Sequence, residues 1–144
     1  MSTVKRILVV EDSLNDVELM RMALRDINLL NHIDVTRDGA EALDYLKCIG
    51  DYTSRDSENP IVIFLDLSLP KISGLELLKI IKSDPLLKLI PIVIFSSSKE
   101  ESDVIKGYSL GVNSYVVKPV NLNDFISAIK ELGLFWVLLN TPPQ

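Results

Sequence analysis

The run Ile61-Val62-Ile63-Phe64-Leu65 constrains this chain more than any other stretch. It is wholly apolar, rich in β-branched residues, and stops abruptly at Asp66. With Pro60 before it and Leu67-Ser68-Leu69-Pro70 behind it, the run reads as a strand buried on both faces. An isolated carboxylate inside such a strand would be costly to desolvate. Asp66 is therefore expected at the strand's C-terminal mouth, where open α/β sheets hold their ligands.

Four further strands are legible. Ile7-Leu8-Val9-Val10 ends at Glu11-Asp12, Ile33 to Thr36 is brief, Pro91 to Phe95 ends at Ser96, and Asn113 to Val117 ends at Lys118-Pro119. Between them, apolar residues at helical spacing predict helices over about 14–27, 38–49, 73–83, 98–111 and 121–132, the last closed by Gly133. Ser13 with Asp16, Ser73 with Glu76 and Ser98 with Glu101 read as capping boxes. The polar stretch 50–59, ending at Pro60, is a loop. Five strands alternating with five helices predict a doubly wound α/β sandwich with a parallel sheet and helices on both faces. The flavodoxin-like strand order 2-1-3-4-5 follows as the natural topology for such a (βα)5 unit.

At 144 residues the chain is one domain's worth, expected over 1–133, followed by an apolar extension over 134–144. No effector domain is expected after the fifth helix. Within the extension, Leu134-Phe135-Trp136-Val137-Leu138-Leu139 either folds back on the domain or forms a protein–protein patch. A net charge of −5 argues against nucleic acid or an anionic membrane as partner. No apolar run approaches membrane-spanning length, and Lys5-Arg6 precedes only four apolar residues before Glu11, too few for a signal peptide. Cys48 alone cannot make an internal disulfide, and His32 alone rules out a multi-histidine metal site. The expected location is cytoplasmic.

In a parallel sheet all the strand C-termini share one edge. Glu11 and Asp12, Asp66, Ser96 and Lys118 are thereby expected to converge. At about 5 Å and an effective dielectric near 20, each pair of carboxylates there costs roughly 3 kcal/mol before screening. Lys118 supplies one offsetting charge and a hard divalent cation with oxygen ligands the rest, for which Mg²⁺ is suited. Acids, a lysine, a hydroxyl and Mg²⁺ together suit phosphoryl transfer to a carboxylate nucleophile.

These residues resemble a family. Glu11-Asp12, Asp66 with Pro70 and Gly74, Ser96 and Lys118-Pro119 look like the receiver domain of two-component response regulators, over residues 5–132. The resemblance implies that Asp66 accepts a phosphoryl group from the phosphohistidine of a sensor kinase. It implies Mg²⁺ on Asp12, Asp66 and the Ser68 backbone carbonyl, with Glu11 ligating through water. Lys118 would contact the phosphoryl oxygens, Ser96 would hydrogen-bond the phosphoryl group, and Tyr115 would be the aromatic switch. In the family the Lys118–Pro119 bond is cis. The 50–59 loop, Leu67-Ser68-Leu69-Pro70-Lys71, Lys82-Ser83-Asp84-Pro85 and Phe135-Trp136 are similar to stand-alone regulators paired with bacterial phytochromes. Output would then come from association, as a homodimer through the face of the fourth helix, fifth strand and fifth helix with the C-terminal tail, or from relaying phosphate.

Two other classes compete. A phosphatase with an aspartate nucleophile wants a second acid two residues on, where this chain has Ser68. A flavin-binding flavodoxin-like protein wants a hydroxyl- and glycine-rich phosphate loop after the first strand, where Glu11-Asp12 would repel a phosphate. Neither therefore fits as well as a non-enzymatic phosphoacceptor.

Overall fold

The computed structural model describes residues 5–143. Five parallel strands, β1 (Ile7–Val10), β2 (Ile33–Thr36), β3 (Val62–Leu65), β4 (Ile92–Ser96) and β5 (Ser114–Val117), form one sheet in the order β2-β1-β3-β4-β5. The order matches the expectation from sequence. Five helices alternate with the strands: α1 (Leu14–Asp26), α2 (Gly39–Lys47), α3 (Gly74–Ser83), α4 (Glu101–Ser109) and α5 (Leu122–Leu134). No helix among the described residues is long and apolar enough to cross a membrane.

Continuous apolar runs on the three inner strands become two cores because successive side chains point to opposite faces. Ile7, Val9, Val62, Phe64, Val93 and Phe95 face α1 and α5, where Leu24, Phe125 and Ile129 meet them. Leu8, Val10, Ile63, Leu65, Ile92 and Ile94 face Ala42 and Leu46 of α2 and Leu77, Leu78 and Ile81 of α3. With both faces covered, polar chemistry is confined to the ends of the strands.

Two sequence expectations fail at helix ends. Gly133 does not close α5; the helix continues through Leu134 into a π-helical turn, Phe135–Leu139. The glycine instead serves helix packing, since a Cβ there would lie 2.7 Å from Leu24 Cδ2 on α1. The π-helical turn buries Trp136 and Val137 in the α1–α5 core and leaves Phe135, Leu138 and Leu139 exposed. The tail thus folds back on the domain through Trp136 and Val137, while its other apolar side chains stay exposed. The second failure is at α4, whose N-cap is Glu100 with no side-chain cap. Ser98 lies outside the helix and ties its first turn differently, donating to Asp103 Oδ2 at 2.6 Å and accepting from the Glu100 N–H at 3.3 Å.

Candidate functional site

Three of the residues expected at the site, Glu11, Asp66 and Lys118, are held by the strand beside them. Past β1, the Glu11 N–H donates to the Thr36 carbonyl of β2 at 3.0 Å. Past β3, the Asp66 N–H donates to Val10 of β1 at 3.1 Å, and past β5 the Lys118 N–H donates to Ser96 at 2.8 Å. Parallel pairing thus runs one residue beyond the strands and fixes where these side chains start. Gly74 completes the frame, because a Cβ there would lie 2.4 Å from the Asp66 carbonyl oxygen. Only a glycine lets α3 begin directly against the backbone that carries Asp66.

The side chains then meet on Lys118. Its Nζ lies 2.7 Å from Glu11 Oε1, 2.8 Å from Asp16 Oδ2 and 3.3 Å from Asp66 Oδ2. Glu11, Asp66 and Ser96 are buried. Burial pushes the Glu11 carboxyl up to about 7, with the Asp66 charge adding to the rise and Lys118 opposing it. Burial by itself would pull Lys118 down, but Asp16 and Glu11 outweigh it, and the ammonium is held above its usual range. One ammonium among three carboxylates leaves the cluster with surplus negative charge.

Asp16 was not anticipated there. Its spacing from Ser13 marks it as the partner in a capping box, and half of that box forms, with the Asp16 N–H donating to Ser13 Oγ at 3.2 Å. The other half is supplied by Glu11, whose Oε2 accepts the Ser13 N–H at 3.1 Å. The Asp16 carboxylate is thereby free to reach Lys118. The available sequence signal was a third acid four residues after Asp12, one helical turn along. Asp12 itself is exposed.

On the other side of Asp66 the contacts are uncharged. Ser96 Oγ accepts the Ser98 N–H at 3.3 Å, and the half-buried Tyr115 hydroxyl donates to the Ser98 carbonyl at 3.0 Å. Ser68 is exposed, with its N–H 3.5 Å from Asp66 Oδ1. The Lys118–Pro119 peptide is trans, unlike the cis bond that the resemblance implies.

The donor set suits a hard divalent cation. Among the described residues no three metal-ligating side chains form a ready cage. Mg²⁺ commonly uses only one or two carboxylates, completing its shell with carbonyl oxygens, water and phosphate. Two buried carboxylates within a cluster of surplus negative charge provide such a setting.

A family model described as the response regulator receiver domain matches residues 7–130. The chain is 40% identical over 139 residues to response regulator Rcp1 of Synechocystis sp., spanning 96% of this chain and 93% of that protein. It superposes on the Mn²⁺-bound form of Rcp1 with a TM-score of 0.87, at 38% identity over 97% of this chain and 99% of the other. Against the phosphorylated cyanobacterial phytochrome response regulator RcpA the TM-score is 0.90, at 39% identity over 99% of this chain and 100% of the other. The bacteriophytochrome response regulator RtBRR is 53% identical, with a TM-score of 0.77 over 98% of this chain and 85% of the other.

Proposed function

This chain belongs to the response regulator receiver domain family, and from that premise we propose that it is a phosphorylation-operated switch in which Asp66 is the phosphoacceptor. The observation that carries the reading is the placement of Lys118 Nζ, 2.7 Å from Glu11 and 3.3 Å from Asp66, although the three residues come from three separate strand ends. The donor is a sensor histidine kinase, which we identify as a phytochrome by analogy with the regulators this chain is similar to. The setting is the cytoplasm. Beyond accepting and losing its own phosphoryl group, the protein has no catalytic task.

In this reading Asp66, Asp12 and the Ser68 carbonyl would hold Mg²⁺, with Glu11 contributing through a bridging water. When bound, the cation offsets the charge of the incoming phosphoryl oxygens. Lys118 contributes the fixed positive charge on the opposite side. Ser96 donates to the phosphoryl group and draws the loop after β4 inward, and the Tyr115 hydroxyl, tied to Ser98, follows that loop. The output face is then α4, β5 and α5, where Ile105, Tyr108, Val117, Val120 and Leu122 are exposed. Together with Leu138 and Leu139 of the tail it is the surface we assign to a homodimer.

Incubation with acetyl phosphate and Mg²⁺ tests this. Intact mass should rise by one phosphoryl group, with a change in elution volume on size exclusion, and Asp66→Asn should show neither. A wild-type chain that gains no mass at any donor concentration would overturn the reading. The acyl phosphate should also persist once donor is removed, because Ser98 Oγ is already committed to Asp103 and Glu100 and Ser68 is a small exposed hydroxyl. Decay within seconds would contradict that assignment.

A further inference from the structure

We infer that Asp16 is a positioning residue that keeps Lys118 occupied in the unphosphorylated protein and must release it before the phosphoryl group can be gripped. The inference rests on Asp66 being the phosphoacceptor. An ammonium has three N–H donors, and here three carboxylates surround it, so nothing is left for a fourth anion. An incoming phosphoryl oxygen must displace one of the three. Asp66 is the acceptor and stays. The Glu11 side chain is only 2% exposed and would lose its partner without gaining water, whereas that of Asp16 is 21% exposed and can turn outward from the first turn of α1. The distances agree: Lys118 sits 2.8 Å from Asp16 and 3.3 Å from Asp66, drawn away from the residue it should serve. Asp16 also adds a negative charge that a dianionic donor must approach.

The step itself is ordinary substitution at phosphorus. Asp66 Oδ forms a bond to phosphorus as the donor's P–O bond breaks, and acetate leaves with that electron pair. Asp16 takes no part in bond making. Removing its charge frees Lys118 and makes the site less repulsive to the donor, so the effect belongs in the slope of rate against donor at low donor concentration.

The test compares wild type, Asp16→Asn, Asp16→Ala, Asp16→Glu and Asp66→Asn, with acetyl phosphate and Mg²⁺, by intact mass against time. Asp16→Asn and Asp16→Ala should react about three- to tenfold faster at low salt. That advantage should shrink as salt is raised, because the removed charge acts partly through solvent. Asp16→Glu should restore slow, wild-type-like reaction. All three should keep the wild-type melting transition, since the main-chain N–H of residue 16 still donates to Ser13. Equal or slower reaction of Asp16→Asn, or an advantage insensitive to salt, would overturn the inference while wild type still reacts and Asp66→Asn does not. Failure of wild type itself to react would instead remove the reading beneath it, and the inference with it.

Discussion

Helices α1 and α4 follow the two strands that flank β3, and they are anchored very differently. Helix α1 buries Val17, Met20, Ala23 and Leu24, is capped by Ser13, and sends Asp16 to Lys118. Helix α4 buries only Gly107, has no side-chain cap of its own, and exposes Ile105 and Tyr108. What ties α4 to the site is a short hydroxyl relay through Ser96, Ser98 and Tyr115 that ends on the Asp103 carboxylate. The charged side of Asp66 is thus built on a firmly packed element and the hydroxyl side on a thinly packed one. Segments with few buried contacts are the ones that open or shift at low cost. In the proposed switch the two sides take different jobs: α1 fixes the chemistry, and α4 is free to report it.

The strongest way to break the contrast is to cut into both helices equally. Leu24→Ala removes a fully buried side chain from the α1–α5 core and should cost roughly 2–5 kcal/mol. Ile105→Ala on α4, where the residue is 57% exposed, should change stability by no more than about 0.5 kcal/mol. Urea unfolding of the two variants reads both values. Comparable losses would mean that α4 is as firmly seated as α1 and would end the division of labour drawn from their packing.

Caps offer a finer cut, and one of them titrates. Helix α2 starts at Asp38, whose Oδ1 accepts the Glu41 N–H at 2.7 Å. That backbone hydrogen bond, with help from Lys71, holds the Asp38 carboxyl below its ordinary value of 3.8. Asp38→Ala should cost about 1 kcal/mol at neutral pH. A carboxylate with a depressed native pKa stabilises above its unfolded value and stops doing so as pH falls through the native one. The gap between wild type and variant should therefore be full above about pH 4 and narrow as acid is added. A gap that widened in acid would contradict the hydrogen bond as the source.

The same elements explain which parts of the molecule the sequence reveals. Glu11, Asp66, Ser96 and Lys118 are legible because each stands at or just past the end of an apolar run, and a parallel sheet brings such ends to one edge. Asp16 is not, because Ser13 three residues earlier accounts for it locally and only the folded geometry shows Glu11 taking over half of that cap. Gly133 misleads for a similar reason: a glycine near a helix end reads as a stop, whereas close approach to Leu24 is a tertiary fact. The bare start of α4 is hidden behind three consecutive serines, any of which could have been its cap. Local chemistry predicts local partners, and it fails where a distant element competes for the same group.

The smallest expected effect is the most discriminating, because it adds an anchor instead of removing one. Glu100 has φ −59° and ψ 125°, close to the capping residues Ser13 at −75° and 111° and Ser73 at −64° and 158°. The backbone is therefore already shaped for a cap, and only the short hydroxyl side chain is missing. The Asp103 N–H is taken by the Glu100 carbonyl at 3.0 Å, so a serine at position 100 would serve the Ser102 N–H. One such bond at an exposed helix start should stabilise the chain by about 0.5 kcal/mol. Hydrogen exchange should slow selectively in the first turn of α4 in Glu100→Ser, with α1 unchanged. If exchange there is already as slow as in α1, or the substitution lowers stability, then Ser98 is acting as a full cap and α4 is not the loosely held partner its packing makes it.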